Sequence, residues 1–315
     1  MAALIFIGAA FGISLMVGRY PLQWEKIFSD PMENRVFFVL RLPRTLMALT
    51  TGVALGVAGS LFQRVFQNPL ASPDMIGVAS GSSVGAAVAI LFFGGAGITV
   101  VACSFVGGLL AVVCCLVLAS ISGKSNLSSV VLSGIAVNAL TQALLMFLKL
   151  TADPEKQLAA IEFWTMGSFA DVTADKFVAS VPFVVIALVI ICLLHRPILM
   201  LHLHQEDAQM LGVPVSVLRW GVLFLATLLT GAVVSMVGLI SFIGLLAPHI
   251  AGLLLKTSRF RQIVFSSLVG GGLLLTADIL ARSIAQGELP VSIITSFVGA
   301  PFLFLVLCRK GGFHD

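Results

Sequence analysis

Long apolar runs alternate with short polar breaks along the whole chain. The runs fall near 2–18, 45–66, 75–93, 97–121, 127–150, 177–199, 217–237, 239–255, 263–285 and 290–308. A hydrocarbon core of roughly 30 Å is crossed by about 20 apolar residues in a helix. The pattern therefore predicts about ten membrane spans. Inside the runs, polar and apolar residues do not alternate, which excludes barrel strands. Lipid offers the backbone no hydrogen-bond partner, so each run must satisfy its own N–H and C=O groups as a helix. The expected fold is all-α and polytopic, a single transmembrane domain over 1–315. Two larger loops are expected at 19–44 and 151–176, with a compact polar connector at 195–216.

Composition narrows the class. Of 315 residues, 59% are hydrophobic and 10% charged. With the 30 glycines the apolar share is about 69%, against roughly 45–50% for a soluble domain. So little charge cannot cover a compact soluble domain, and a disordered chain or a disulfide scaffold is excluded as well. The net charge of +4 implies no nucleic-acid partner. Cys103, Cys114, Cys115, Cys192 and Cys308 lie in apolar stretches without metal-ligand spacing and read as packing residues. The first run lacks the basic segment that precedes a signal peptide's apolar core, so it reads as a membrane helix.

Orientation rests on Lys and Arg. Loops after odd spans hold nine, and loops after even spans hold nine. The positive-inside rule alone gives a tie. If Arg41, Arg44 and Arg282 serve another purpose, the count becomes six against nine and both termini are expected to be cytoplasmic.

Small residues recur at a spacing of four in Ala48, Gly52 and Gly56, followed by Gly59, and in Gly77, Gly81 and Gly85. Such faces let helices approach closely. The triplet Gly270-Gly271-Gly272 marks another close crossing or a flexible point. Two breaks are expected: Asn68-Pro69-Leu70-Ala71-Ser72-Pro73, and Gly238 through His249. Irregular backbone at membrane depth is tolerated only against protein or a water-filled cavity.

Few groups carry chemistry. Asp278 and Arg282 sit four apart and share a helix face, as a structural ion pair or as an ion relay with a docking arginine. Arg41-Leu-Pro-Arg44 precedes a long apolar helix, with arginines suited to interface anchoring or to gripping a partner carboxylate. His195, His202 and His204 read as solvated loop residues, not metal ligands. Gly123-Lys124-Ser125 lacks the glycine a phosphate loop needs five positions earlier, where Leu118 stands. No ATP site of this kind and no catalytic grouping is present, so no enzyme is expected.

Arg41-Leu-Pro-Arg44, Gln63, Asn68-Pro-Leu-Ala-Ser-Pro73, Gly77 and Gly81 resemble the permease subunits of bacterial ABC importers for iron-siderophores, haem and vitamin B12, the FecCD-like type II importers. Ile240-Ser-Phe-Ile-Gly-Leu-Leu-Ala-Pro-His249, Ala277-Asp278 with Arg282, Glu288-Leu-Pro290 and Gly299-Ala-Pro301 continue the match in family order. The resemblance implies the type II permease fold and ten helices. It implies a second permease chain, identical or paralogous, in the bacterial cytoplasmic membrane. It further implies two cytoplasmic ATPase subunits that use ATP and Mg, and an extracytoplasmic substrate-binding protein. No cofactor or metal is implied on this chain itself. Arg41, Arg44 and Arg282 match the family's binding-protein docking positions. The segment 201–213 resembles its ATPase coupling loop, through Gln205, Glu206, Ala208, Leu211 and Gly212. His204 and Gln205 depart from the usual glycine and acid there, Gly252 from a common arginine, and Ser292 from a common glycine. The resemblance places Ser133, Asn138 and Gln142, and also Ser241, Gly244 and Pro248, as candidates to line the pathway.

The expected function is an importer permease, with an iron(III)-siderophore as substrate and haem or vitamin B12 as the alternatives. An ion-coupled secondary transporter using Asp278 is the competing class, and a membrane-embedded enzyme a distant third.

Overall fold

A computed structural model describes residues 2–18, 20–121, 127–201, 215–255, 260–284 and 287–311. Among them every regular element is a helix. In chain order these are α1 (Ala2–Met16), α2 (Pro31–Val65), α3 (Val78–Phe92), α4 (Gly97–Ile121), α5 (Leu127–Thr151), α6 (Gln157–Met166), α7 (Ala174–Leu193), α8 (His195–Met200), α9 (Val215–Val237), α10 (Ile243–Leu255), α11 (Phe260–Ser283) and α12 (Val291–Gly311). Helices α2, α4, α5, α7, α9 and α11 are long and apolar enough to cross a bilayer, and α1, α3, α10 and α12 are shorter apolar helices. They stand where the ten apolar runs stand.

Several boundaries differ from the sequence expectation. Residues 31–44 are not loop. Asp30 accepts the Met32 N–H at 2.8 Å, Pro31 occupies the first turn, and α2 then runs unbroken for 35 residues. Arg41-Leu-Pro-Arg44 therefore lies inside a helix and not ahead of one. Pro43 lacks an N–H and its ring crowds the carbonyl four residues back. The helix answers by widening just before it. Over Val36–Arg41 it takes π spacing, with the Leu42 N–H on the Phe37 carbonyl. The 151–176 segment contains α6, and the 177–199 run divides at Leu194 into α7 and α8.

Both breaks exist, and the second is shorter than expected. After α2, Gln67 takes φ 48 and Asn68 Oδ1 accepts the Leu70 N–H at 2.9 Å. A short 3-10 turn at Pro73–Ile76 follows, and Gly77 at φ 87 turns the chain into α3. In the second break only residues 238–242 leave the helix. Ile243 starts α10, which carries Pro248 in its interior. Neighbouring segments satisfy the irregular backbone. Ser168 N–H reaches the Val237 carbonyl at 2.8 Å, and Val291 N–H reaches the Gly167 carbonyl at 2.9 Å. The Ser292 hydroxyl donates to the Leu239 carbonyl. That bond gives the serine at this position a local reason.

The small-residue faces do pack. A Cβ on Gly52 would overlap the Gly270 carbonyl, and one on Gly56 the Ser266 carbonyl, so α2 and α11 touch backbone to backbone. The Ser266 hydroxyl donates to the Gly56 carbonyl at 2.8 Å across the same seam. Gly59 meets Gly244 of α10, while Gly81 and Gly85 of α3 meet Gly107 and Cys103 of α4. Leu49 and Phe6 cover Gly271 and Gly272, so the triplet is a crossing point. With no water to drive association inside a bilayer, this contact is what holds the helices.

Candidate functional site at one end of the bundle

Three arginines and three carboxylates converge where the C-terminal ends of α1 and α11 meet the N-terminal third of α2. Arg41, Arg44 and Arg282 are 6%, 9% and 9% exposed, although they were expected as outward-facing groups. Each guanidinium already has partners within the chain.

Arg44 sits between two acids. Its Nε and Nη2 donate to Asp278 Oδ1 at 3.1 and 2.9 Å, and its Nη1 donates to Glu288 Oε1 at 2.8 Å. Arg282 Nη2 lies 3.0 Å from Asp278 Oδ2, closing the expected pair one turn apart on α11. Asp278 is fully buried and bridges two arginines from two helices. Isolated, each of these charges would be expensive at this depth. Paired and hydrogen-bonded, they are tolerated.

The remaining donors cap α1. Arg41 Nη1 reaches the Leu15 and Met16 carbonyls at 2.9 and 3.0 Å, and its Nη2 donates to the Tyr20 carbonyl. Arg282 reaches the Ser14 and Val17 carbonyls at 3.3 and 3.1 Å and the Ser14 hydroxyl at 2.8 Å. A helix leaves its last carbonyls without internal partners and its C-terminus partially negative. Two guanidiniums answer both needs. Beside them, Glu33 is buried, accepts the Tyr20 hydroxyl at 3.0 Å, and holds that phenol above its usual pKa. A cavity of about 200 Å³ opens among Tyr20, Arg41, Arg44, Arg282 and Glu288.

The pathway candidates scatter. Asn138 of α5 donates to the Asp74 carbonyl at 3.1 Å and accepts from the Ser80 hydroxyl at 2.6 Å, pinning α5 to the turn before α3. Thr141 adds a bond to Ser80 at 2.8 Å. Gln142 is exposed and Ser133 half-buried on the same helix. Gly244 is a crossing residue against Gly59, and Ser241 lies in the second break. Pro248 lines a polar cavity of about 370 Å³ with Ser60, Gln63, Arg64, Gln67, Asn68 and Gln262 at the opposite end of α2. From Arg41 to Arg64 the helix rises about 35 Å, so the two ends are a membrane thickness apart. Gln205, Glu206, Ala208, Leu211 and Gly212, with His202 and His204, lie outside the described residues. His195 Nδ1 faces the Cys192 carbonyl at 2.8 Å. Among the described residues no group of three or more His, Cys, Asp or Glu could hold a metal.

Sequence reasoning missed the roles of Glu288, Glu33, Tyr20 and Ser14. Glu288 stood only as a motif letter. The available signal was charge matching: three arginines assigned outward with a single acid beside them leave two carboxylates to be found.

Among the described residues, apolar helices joined by close glycine crossings and interrupted at two short breaks make the fold that of a polytopic membrane protein. The FecCD transport family profile matches residues 4–309, and the chain belongs to that family. It is 35% identical to the molybdate import permease MolB of Haemophilus influenzae, covering 96% of this chain and 94% of that one. It is 35% identical to the ferric enterobactin permease FepG of Escherichia coli, covering 94% and 91%, and 34% identical to the hemin permease HmuU of Yersinia pestis, covering 91% and 87%. A solved metal-chelate type ABC transporter in an inward-facing conformation superposes with a TM-score of 0.89 at 34% identity, covering 98% of each chain. The chain is thus an ABC importer permease and a transport subunit, with ATP used by partner ATPases.

Proposed function

We propose that this chain, with a second permease chain, walls the pathway of an ATP-driven importer for an iron(III)-siderophore complex. The end-to-end likeness to a metal-chelate transporter carries this reading, and the ferric enterobactin and ferric citrate permeases among the relatives support it. Both termini face the cytoplasm of a bacterial cell. A loaded binding protein docks at the Arg41, Arg44 and Arg282 end. ATP closes the two ATPase subunits against the 201–213 loop, and the helix bundles rock so that cargo passes between the two chains. The partners must bind the two states unequally for this to couple. The likeness to MolB supports one other cargo, molybdate.

The test is uptake into proteoliposomes holding the complete importer, with the partner binding protein supplied outside. Radiolabelled iron in siderophore complexes should accumulate on ATP. Accumulation of molybdate and not of any iron chelate would replace the first cargo with the second.

A further inference from the structure

Arg44 has one partner that is fully buried and one that is partly exposed. Asp278 is fully buried: its Oδ1 accepts two hydrogen bonds from Arg44, and its Oδ2, without a hydrogen-bond partner, lies 3.0 Å from Arg282 Nη2. Glu288 holds Arg44 by a single bond, Oε1 to Nη1 at 2.8 Å. Its side chain is 28% exposed, and its Oε2 is buried with no hydrogen-bond partner. It sits on a non-helical stretch between α11 and α12 and lines the cavity that Arg41, Arg44 and Arg282 share. With one hydrogen bond to Arg44 against the two that Asp278 accepts, and with its side chain partly exposed, Glu288 is the weaker half of the network. The nearby charges already balance: Arg41, Arg44 and Arg282 against Glu33, Asp278 and Glu288.

From this geometry we propose that Glu288 is an internal plug of the docking site: at rest its carboxylate occupies Arg44, and a carboxylate of the binding protein displaces it on docking. The proposal rests on the docking reading above and adds a regulator to it. An incoming acid does not meet a bare cation. It exchanges with a tethered one, so Arg44 stays neutralised before, during and after each encounter. Glu288 thereby weakens docking and eases release of the spent binding protein. It also keeps the resting outer face from attracting unrelated anions, as specificity by competition requires.

The experiment measures the equilibrium affinity of the loaded partner binding protein for the complete importer in nanodiscs. Wild type, Glu288→Gln, Arg44→Gln and the double variant are compared. The amide keeps the side-chain volume and removes the charge. The proposal expects Glu288→Gln to tighten binding at least threefold, with Arg44→Gln weakening it and the double variant resembling Arg44→Gln. If Arg44→Gln weakens binding while Glu288→Gln leaves it unchanged or weaker, the plug is overturned and docking stands. If Arg44→Gln leaves affinity unaltered, the docking reading fails and the plug fails with it. Should Glu288→Gln not assemble, Glu288→Asp serves instead. Its carboxylate is one methylene further from Arg44, so binding must again tighten for the plug to stand.

Discussion

Arg44 and Asp278 are joined by two hydrogen bonds on one oxygen, at 3.1 and 2.9 Å, across 234 residues of sequence. The pair fastens α2 to α11 one turn before the end of α11, at one end of the glycine seam that runs down the same two helices. Removing one member of a buried pair costs about 3–5 kcal/mol, because the other charge is left unpaired. Asp278→Ala strands two arginines and should lower the melting temperature of the detergent-solubilised chain markedly. Arg35→Ala, at an exposed site, is the control and should change little. Equal melting of both variants would remove the network from the stability of the bundle.

The glycine seam predicts a contrast within one residue type. Gly59→Leu pushes a side chain into the Gly244 carbonyl, whereas Gly8→Leu meets nothing within 4 Å. Overpacking costs about 1–3 kcal/mol or more where backbones touch. The first variant should unfold at lower temperature and the second should not. Thermal unfolding monitored by size-exclusion recovery separates them.

Topology follows from the outer role proposed for the arginine end. In a cysteine-free background, Ser29→Cys should react with a membrane-impermeant maleimide from outside intact cells. Ser120→Cys, exposed near the 122–126 connection, should react only after lysis. The reverse pattern would invert the chain.

Coupling is assigned to the 201–213 loop. Glu206→Ala and Ala208→Glu should leave the chain folded and assembled while ATP hydrolysis proceeds with little transport. The check is the ratio of transport to hydrolysis in proteoliposomes. An unchanged ratio in both variants would place transmission elsewhere.

The hydrophobic pattern made the helices legible, because lipid forces every long apolar run to satisfy its own backbone. Their ends were less legible. The 31–44 segment is expected as part of the 19–44 loop, yet Asp30 caps it and a widened turn absorbs Pro43, so helix continues through it. The 238–249 break reads longer than it is, because Pro248 is accommodated inside α10. At the site, spacing on α11 revealed Asp278 with Arg282. Nothing local to α2 shows that Arg44 shares that acid. Burial of the arginines was equally hidden: their partners are α1 carbonyls and acids distant in sequence, and only the fold brings these together.

The most direct test of the whole account is cargo uptake by this chain with and without its motor. Proteoliposomes carrying the permease dimer, the ATPase subunits and the binding protein should accumulate cargo on ATP and stop when the nucleotide is omitted. Uptake by the permease chains alone, driven by a proton gradient and abolished by Asp278→Asn, would contradict it.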